Sequence, residues 1–253
     1  MSEGRAGLTV PGEFPAVVVL AGGLGTRIRH LLEARPKPMA LVCGKPFLEW
    51  VCRFLAVQGV RRIMLSTGHL GEVIADHFAS LVLPGVAISC HREAGQLGTA
   101  GGFCHAVQAA GETSAEWLVC NGDSLVLAPL APFVAGLRTR GSAAGLIGLD
   151  VPDTSRYGTL DVAPDFALRG FAEKRPGRGI INAGVYYFGA AELGGFPAWR
   201  PLSFETEVFP ALLAARRPVT VHPVAAPFLD IGTPESLAQA EEFVTKNRDL
   251  FHL

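Results

Sequence analysis

Val17 to Leu20 are four consecutive apolar residues flanked by Ala and Gly, the pattern of a parallel strand buried on both faces. From Pro46 the spacing changes. Phe47, Val51, Phe54 and Leu55 recur at helical intervals and Gly59 stops the run, which predicts a helix over PFLEWVCRFLAVQG. The same exchange of patterns then repeats along the chain. RRIMLSTG, Val86 to Cys90, WLVCNGDS and Ala143 to Leu149 read as strands. His69 to Ser80, the segment beginning near Thr99, and Pro129 to Arg140 read as helices, with Thr99 as N-cap. Strands alternating with helices predict an α/β fold with a doubly wound, mostly parallel sheet.

The rhythm breaks after Asp150. Tyr157 to Ala163 and Ala167 to Glu173, split by Pro164-Asp165, predict a small antiparallel excursion. IINAGVYYF (Ile180 to Phe188) reads as a strand returning to the sheet. Ser203 to Ala215 is a predicted helix, Val219 to Pro223 a short strand, and Pro234 to Asn247 a final helix. Residues 1–15 read as a flexible lead-in and Gly194 to Pro201 as a surface loop, leaving one domain over residues 16–247.

Composition narrows the function classes. With 253 residues, 49% of them apolar, the chain can bury a large core. A net charge of −1 supplies no general basic footprint for nucleic acid. Five scattered cysteines without a CxxC pair point to free thiols in a reducing compartment. No signal peptide or membrane span is evident, so the expectation is a cytoplasmic protein without a membrane partner. The seven histidines show no ligand spacing, and His69 and His77, near one helix face, read as solvated.

The chemistry begins where the first strand stops, at Gly22-Gly23-Leu24-Gly25-Thr26-Arg27. Glycines there let backbone N–H groups approach an anion, and Arg27 and Lys37 add fixed positive charge. Proline on either side of Lys37 stiffens its segment. The loop is neither a P-loop nor a dinucleotide fingerprint: no Gly-Lys-Ser/Thr follows, and Ile28 occupies the third glycine position. It reads as a polyphosphate site. Asp123, after the fourth strand, and Asp230 in FLDIGTPES are two acids at strand ends, which favours a shared hard cation.

The pattern GGLGTR, spacer, PKPM resembles the signature of the sugar-1-phosphate nucleotidylyltransferases, and the similarity runs from about Ala16 to about Ala240. It implies a Rossmann-like fold and two substrates, an NTP and a sugar 1-phosphate. It implies catalytic roles for Arg27 and Lys37, with Mg²⁺ on Asp123 and Asp230. Leu20, Ala21, Gly22, Gly23, Gly25, Thr26, Gly98, Thr99 and Asn121 would bind the nucleotide. Gly158, Glu173, Lys174, Asn182 and Gly184 would bind the sugar phosphate. Arg175 interrupts the family's E-K-P step, and the RPGRG loop reads either as added phosphate contacts or as a solvated loop. A homo-oligomer is compatible with the resemblance. The chain's end soon after its last helix implies no appended acyltransferase repeat domain.

Within the family, GKPFLEWV, LSTGHLGEVIADHF, LGTAGG, NGDS, SFETEVFP and FLDIGTPES look most like the D-glycero-D-manno-heptose 1-phosphate guanylyltransferases. That implies GTP, a manno-configured heptose 1-phosphate and a GDP-heptose product for surface polysaccharide. Glu93 suits it, since a carboxylate can accept from adjacent N1–H and N2–H of guanine. Many relatives have E-P-L-G-T, and here Gly95-Gln96 replace the acid and proline, so Gln96 reading a pyrimidine stays open. Mannose, N-acetylmuramate or glucose 1-phosphate with GTP, UTP or dTTP is the alternative, and a catalytically silent regulatory protein is another.

Overall fold

A computed structural model describes residues 14–32, 35–172, 176–193, 196 and 200–251. In chain order the first half comprises β1 (Ala16–Ala21), β2 (Leu41–Val42), β3 (Lys45–Pro46), α1 (Phe47–Val57), β4 (Arg62–Thr67), α2 (Gly71–Ser80), β5 (Ala87–Arg92), α3 (Gly98–Ala110), β6 (Glu116–Asn121) and β7 (Ser124–Val126). The second half comprises α4 (Leu130–Arg140), β8 (Ala144–Val151), β9 (Thr159–Val162), β10 (Leu168–Ala172), β11 (Gly179–Gly189), α5 (Ala190–Leu193), α6 (Phe209–Ala214), β12 (Val219–Val224), β13 (Phe228–Asp230), α7 (Pro234–Ala238) and α8 (Ala240–Lys246).

Strand β1 is central because its side chains are buried on both faces. It pairs in parallel with β4 on one side and β6 on the other, Val18 opposite Met64 and Val119. Its side chains alternate between two cores, as the strand period requires. Val17, Val19 and Ala21 join the cluster holding Phe47, Phe54, Ile74 and Phe133 from α1, α2 and α4. Ala16 and Val18 join the opposite cluster, with Phe103 of α3 and Phe209 of α6. Helices on both faces of a mostly parallel sheet make this the doubly wound class that the sequence pattern predicts. In the second core Phe188 stacks on Phe204 with centroids 4.8 Å apart, and Phe103 meets Trp117 edge-on at 6.0 Å. Such ring pairs add about 0.5–1.5 kcal/mol each beyond area burial. Among the described residues no helix is long and apolar enough to cross a membrane.

The main sheet departs from a simple winding at β11. This strand inserts between β6 and β8, antiparallel to both, with Tyr186 opposite Val119 on one side and Leu146 on the other. Its register against β8 slips between Asn182 and Tyr186, a bulge beside the carboxyl end of β6. β9 and β10 form the expected antiparallel excursion at the end of β11. β13 lies outside the main sheet and pairs with β7, Asp230 opposite Ser124.

Several local expectations are corrected. Thr99 does not cap α3: Leu97 holds the N-cap position and no side chain caps it. The helix predicted from Ser203 begins as a π-helical turn, Phe204–Val208, before α6. The final helix divides at Gln239 into α7 and α8. Phe14 and Pro15 belong to the packed structure and not to a flexible lead-in, since Phe14 rests against Gly59 and the first core. His77 is not simply solvated, because its Nε2 lies 2.9 Å from Oε2 of Glu49.

Glu49 is an acid buried between α1 and α2, its side chain 4% exposed. Its Oε1 accepts from Arg53 Nε at 2.8 Å and lies 3.6 Å from Lys45 Nζ. Burial pushes its pKa up, but Arg53, with His77 and Lys45, outweighs that and holds the carboxyl below its ordinary 4.5. A depressed carboxyl pKa contributes stability above the unfolded value and loses it as pH falls through the folded value. Glu49→Gln should therefore cost about 1–3 kcal/mol near neutral pH by removing the buried charge that Arg53 and His77 pair with. The deficit should shrink as pH falls below about 4.5. Chemical denaturation of both proteins across pH 3–7 checks this, and a deficit constant with pH would contradict it.

Candidate active site

The parallel register brings four strand ends to one edge. Leu20 lies opposite Asn121, Ala21 opposite Thr67, and Thr67 opposite Arg92. The Gly22 loop, Glu93 and the Gly122-Asp123 turn, each just past one of these ends, therefore converge, as ligand sites of open α/β sheets do.

At the centre is a cation between two acids. Lys37 begins a short 3-10 turn, Lys37–Met39, anchored by buried Pro38 and Met39. Its Nζ donates to Asp123 Oδ2 at 2.7 Å and lies 3.9 Å from Asp230 Oδ1. The glycine loop closes directly over the lysine stem. Gly25 has φ +58, and a Cβ there would lie 2.6 Å from Cβ of Lys37, so both conformation and space demand glycine. Asp230 ends β13 of the small sheet, and Asp123 sits in the turn between β6 and β7, so the two acids come from strand ends in different sheets. Backbone pairing of Ile231 N to Asp123 O at 3.0 Å holds the two segments together. Burial, and then the charge of Asp123, push the Asp230 pKa above its ordinary 3.8 despite Lys37.

Around this centre the described residues leave three hollows. Arg27, Lys37, Asp123, Leu20 and Ala21 line the smallest, about 260 Å³. Arg27 is exposed and makes no ion pair among the described residues. A second, about 730 Å³, carries most of the expected nucleotide residues: Gly22, Gly23, Gly25 and Thr26 on one side, Glu93, Gly98, Thr99 and Asn121 on the other. A third, about 830 Å³, is lined by Gly158 and Asn182 together with Tyr157 and Glu205. Glu173 and Lys174 lie outside the described residues. Gly184 lines none of the three; it sits at the β11 bulge with φ +75, and a Cβ there would meet Asn121 Nδ2 at 2.5 Å. Its role is to let β11 pass close to Asn121.

Glu93 differs from expectation. Its Oε1 accepts from Ser66 Oγ at 2.8 Å and its Oε2 from Leu97 N at 3.1 Å. A Cβ on Gly22 or Gly102 would come within 2.9 Å or 2.5 Å of Oε1. Each oxygen accepts one hydrogen bond from the protein, so the carboxylate braces the Gln96–Gly98 loop against β4 while keeping further lone pairs at the edge of the hollow. In the RPGRG loop, Arg178 pairs with Asp150 across β11 and β8, so its charge is already engaged.

Sequence reasoning assigned no role to Glu205 or Tyr186. Tyr186 is fully buried, and its hydroxyl donates to Glu205 Oε1 at 2.7 Å while accepting from Asn182 Nδ2 at 3.0 Å. Burial, then the neighbouring Glu205 charge, push the phenol pKa far up, so it stays a donor. The available signal was the pair of acids in SFETEVFP, Glu205 and Glu207, with no partner for either visible in sequence. Among the described residues no group of three or more His, Cys, Asp or Glu is arranged to hold a metal.

The family model described as Nucleotidyl transferase matches residues 16–247. A mannose-1-phosphate guanylyltransferase of Mycobacterium tuberculosis is 33% identical over 236 residues, 92% of this chain and 64% of that protein. A D-glycero-alpha-D-manno-heptose 1-phosphate guanylyltransferase of Campylobacter jejuni is 31% identical over 222 residues, 86% of this chain and 95% of that protein. The crystal structure of HddC from Yersinia pseudotuberculosis complexed with GMP-PN superposes with a TM-score of 0.81 at 33% identity, covering 90% of this chain and 99% of that one. The chain belongs to the nucleotidyl transferase family.

Lys37→Met should leave two facing carboxylates without their cation and lower ligand-free stability by about 1–3 kcal/mol at pH 7. A carboxyl whose folded pKa is raised loses folding stability as pH rises through that value. Without Lys37 the Asp230 carboxyl rises further, so the deficit should be largest at neutral pH and shrink towards pH 4. Thermal unfolding of both proteins between pH 4 and pH 8 reads this, and an equal deficit at both ends would count against the ion pair.

Proposed function

We propose that this chain transfers GMP from GTP to a manno-configured sugar 1-phosphate, with D-glycero-alpha-D-manno-heptose 1-phosphate preferred, releasing pyrophosphate and a GDP-sugar. The observation that carries the reading is the Lys37–Asp123–Asp230 cluster under the glycine loop, beside two hollows of nucleoside and sugar size. The heptose preference rests on the motif similarity from GKPFLEWV to FLDIGTPES and on the Campylobacter relative. Mannose 1-phosphate is the second reading, supported by the mycobacterial relative.

In the reaction a phosphate oxygen of the sugar 1-phosphate attacks the α-phosphorus of GTP. A new O–P bond forms as the bond to pyrophosphate breaks, in line. No covalent intermediate on the protein is needed, so catalysis is positioning plus neutralisation of developing charge. Backbone N–H groups of the Gly22–Gly25 loop hold the polyphosphate. Arg27 neutralises charge on the α-phosphate and leaving pyrophosphate, and Lys37 acts on the attacking side. The Lys37 ammonium, which bridges two carboxylates, marks a position suited to a cation. Asp123 and Asp230 are hard oxygen donors and would hold Mg²⁺, which supplies charge neutralisation at the phosphates.

A panel of GTP, UTP and dTTP against heptose, mannose and glucose 1-phosphates, read by pyrophosphate release, tests the reading. GTP with a manno-configured sugar should lead. A wild-type preference for UTP or dTTP would sink the guanylyl assignment, and a preference for mannose would move the sugar assignment alone. Asp123→Asn should fold and lose roughly 100-fold or more in rate, the scale of losing one strong electrostatic element.

Glu93→Gln separates bracing from base reading. As a brace, Glu93 orders the loop against any base, so the variant should raise KM for GTP and UTP alike. A narrowed ratio of GTP to UTP efficiency would instead return Glu93 to direct base contact.

A further inference from the structure

We infer that Glu205 accepts a hydrogen bond from a sugar hydroxyl and, paired with Asn182, selects substrates bearing two neighbouring hydroxyls at that end of the pocket. The inference rests on the sugar 1-phosphate reading above. It starts from the π-helical turn Phe204–Val208, a rare backbone form that recurs at functional sites. The turn directs Glu205 into the hollow lined by Gly158, Tyr157 and Asn182.

The carboxylate is held from three sides. Tyr186 Oη donates to Oε1 at 2.7 Å, while Ser203 Oγ and Thr99 Oγ1 donate to Oε2 at 2.9 and 3.2 Å. An ionised carboxylate has about four lone-pair sites. Oε1 has one protein donor, so it keeps acceptor capacity on the side of the hollow. Asn182 is oriented just as firmly. Its Oδ1 accepts from Gly184 N at 3.0 Å and its Nδ2 donates to Tyr186 at 3.0 Å, which leaves the second amide N–H uncommitted.

Among the described residues lining the hollow, Glu205 supplies an acceptor and Asn182 an amide donor, fixed relative to each other through a buried tyrosine. Two neighbouring hydroxyls match that pair, one donating to Glu205 and the other accepting from Asn182. A sugar lacking the donating hydroxyl leaves a carboxylate lone pair unmet, which is how sites of this kind reject deoxy analogues.

The test compares wild type, Glu205→Gln and Ser203→Ala with mannose 1-phosphate, the heptose 1-phosphate and their monodeoxy analogues. Turnover and calorimetric binding of the sugar phosphates are read in parallel. Glu205→Gln should raise KM for the parent sugar about 10–100-fold, the scale of a hydrogen bond to a charged acceptor. It should leave KM for GTP within about 2-fold and abolish the penalty that one deoxy analogue suffers in wild type. Ser203→Ala removes a brace but keeps the carboxylate, so it should retain that penalty. Equal rises in KM for GTP and sugar, or loss of the deoxy penalty in Ser203→Ala as well, would overturn the inference and leave Glu205 a scaffold. Wild-type binding that is sensitive to Glu205→Gln, with no turnover of any sugar, would sink the transferase reading and keep the contact. No wild-type binding of either sugar phosphate would overturn both.

Discussion

Two carboxylates that share a partly buried site repel each other unless a cation or a proton lies between them, and this constraint organises the centre of the molecule. Asp123 and Asp230 are 107 positions apart in the chain, and burial together with mutual repulsion pushes the Asp230 carboxyl up. Lys37 relieves the repulsion with one short hydrogen bond and one longer contact. Each neighbour then has a task set by that lysine. Buried Pro38 and Met39 anchor its turn, and Gly25 folds back over its stem where no side chain would fit. The two-stranded pairing of β7 and β13 brings the second acid to the first. A cluster assembled this way fixes the lysine and both carboxylates in the ligand-free protein.

The antiparallel strand β11 supplies the second organising feature. Its bulge between Asn182 and Tyr186 lets the strand serve two faces of the site at once. Gly184 passes close to Asn121 beside the glycine-loop hollow, while Asn182 turns to the other hollow. From there a continuous line of hydrogen bonds runs through Tyr186 and Glu205 to Thr99 at the start of α3. Thr99 also accepts from Phe204 N at 2.9 Å, and Leu202 N donates to Leu97 O. The loop that closes one hollow and the turn that closes the other are therefore one hydrogen-bonded unit, backed by the stacked rings of Phe188 and Phe204.

Much of this was legible from local pattern. Four apolar residues before a glycine loop read as a buried strand, which β1 is, and the residue types of Arg27, Lys37, Asp123 and Asp230 with their motifs marked them as candidates. The helix stop at Gly59, with φ +97, and the left-handed ends at Gly111 and Gly141 belong to the same class of signal. These features depend on short-range sterics and on the 2.0 and 3.6 periods, and both are written in consecutive residues.

Partners separated by tens of residues are not written that way. Sequence marked Glu93 as an acid near the base, but only the packing of β4 against β5 and α3 brings Ser66 and Leu97 to its two oxygens. It marked SFETEVFP as a motif without choosing between its acids. Residues 205 and 207 point apart on the π-helical turn, and the tertiary fold sends Glu205 to Tyr186 and Glu207 to Arg200. The insertion of β11 between β6 and β8 was equally out of reach, because an apolar strand reads the same whichever direction it runs. Sequence thus determined which groups of given chemistry the chain owns and the local shape around each. Tertiary structure decided which lone pairs and protons are already committed and which remain for a ligand, since hydrogen bonds are made by atoms brought together in space.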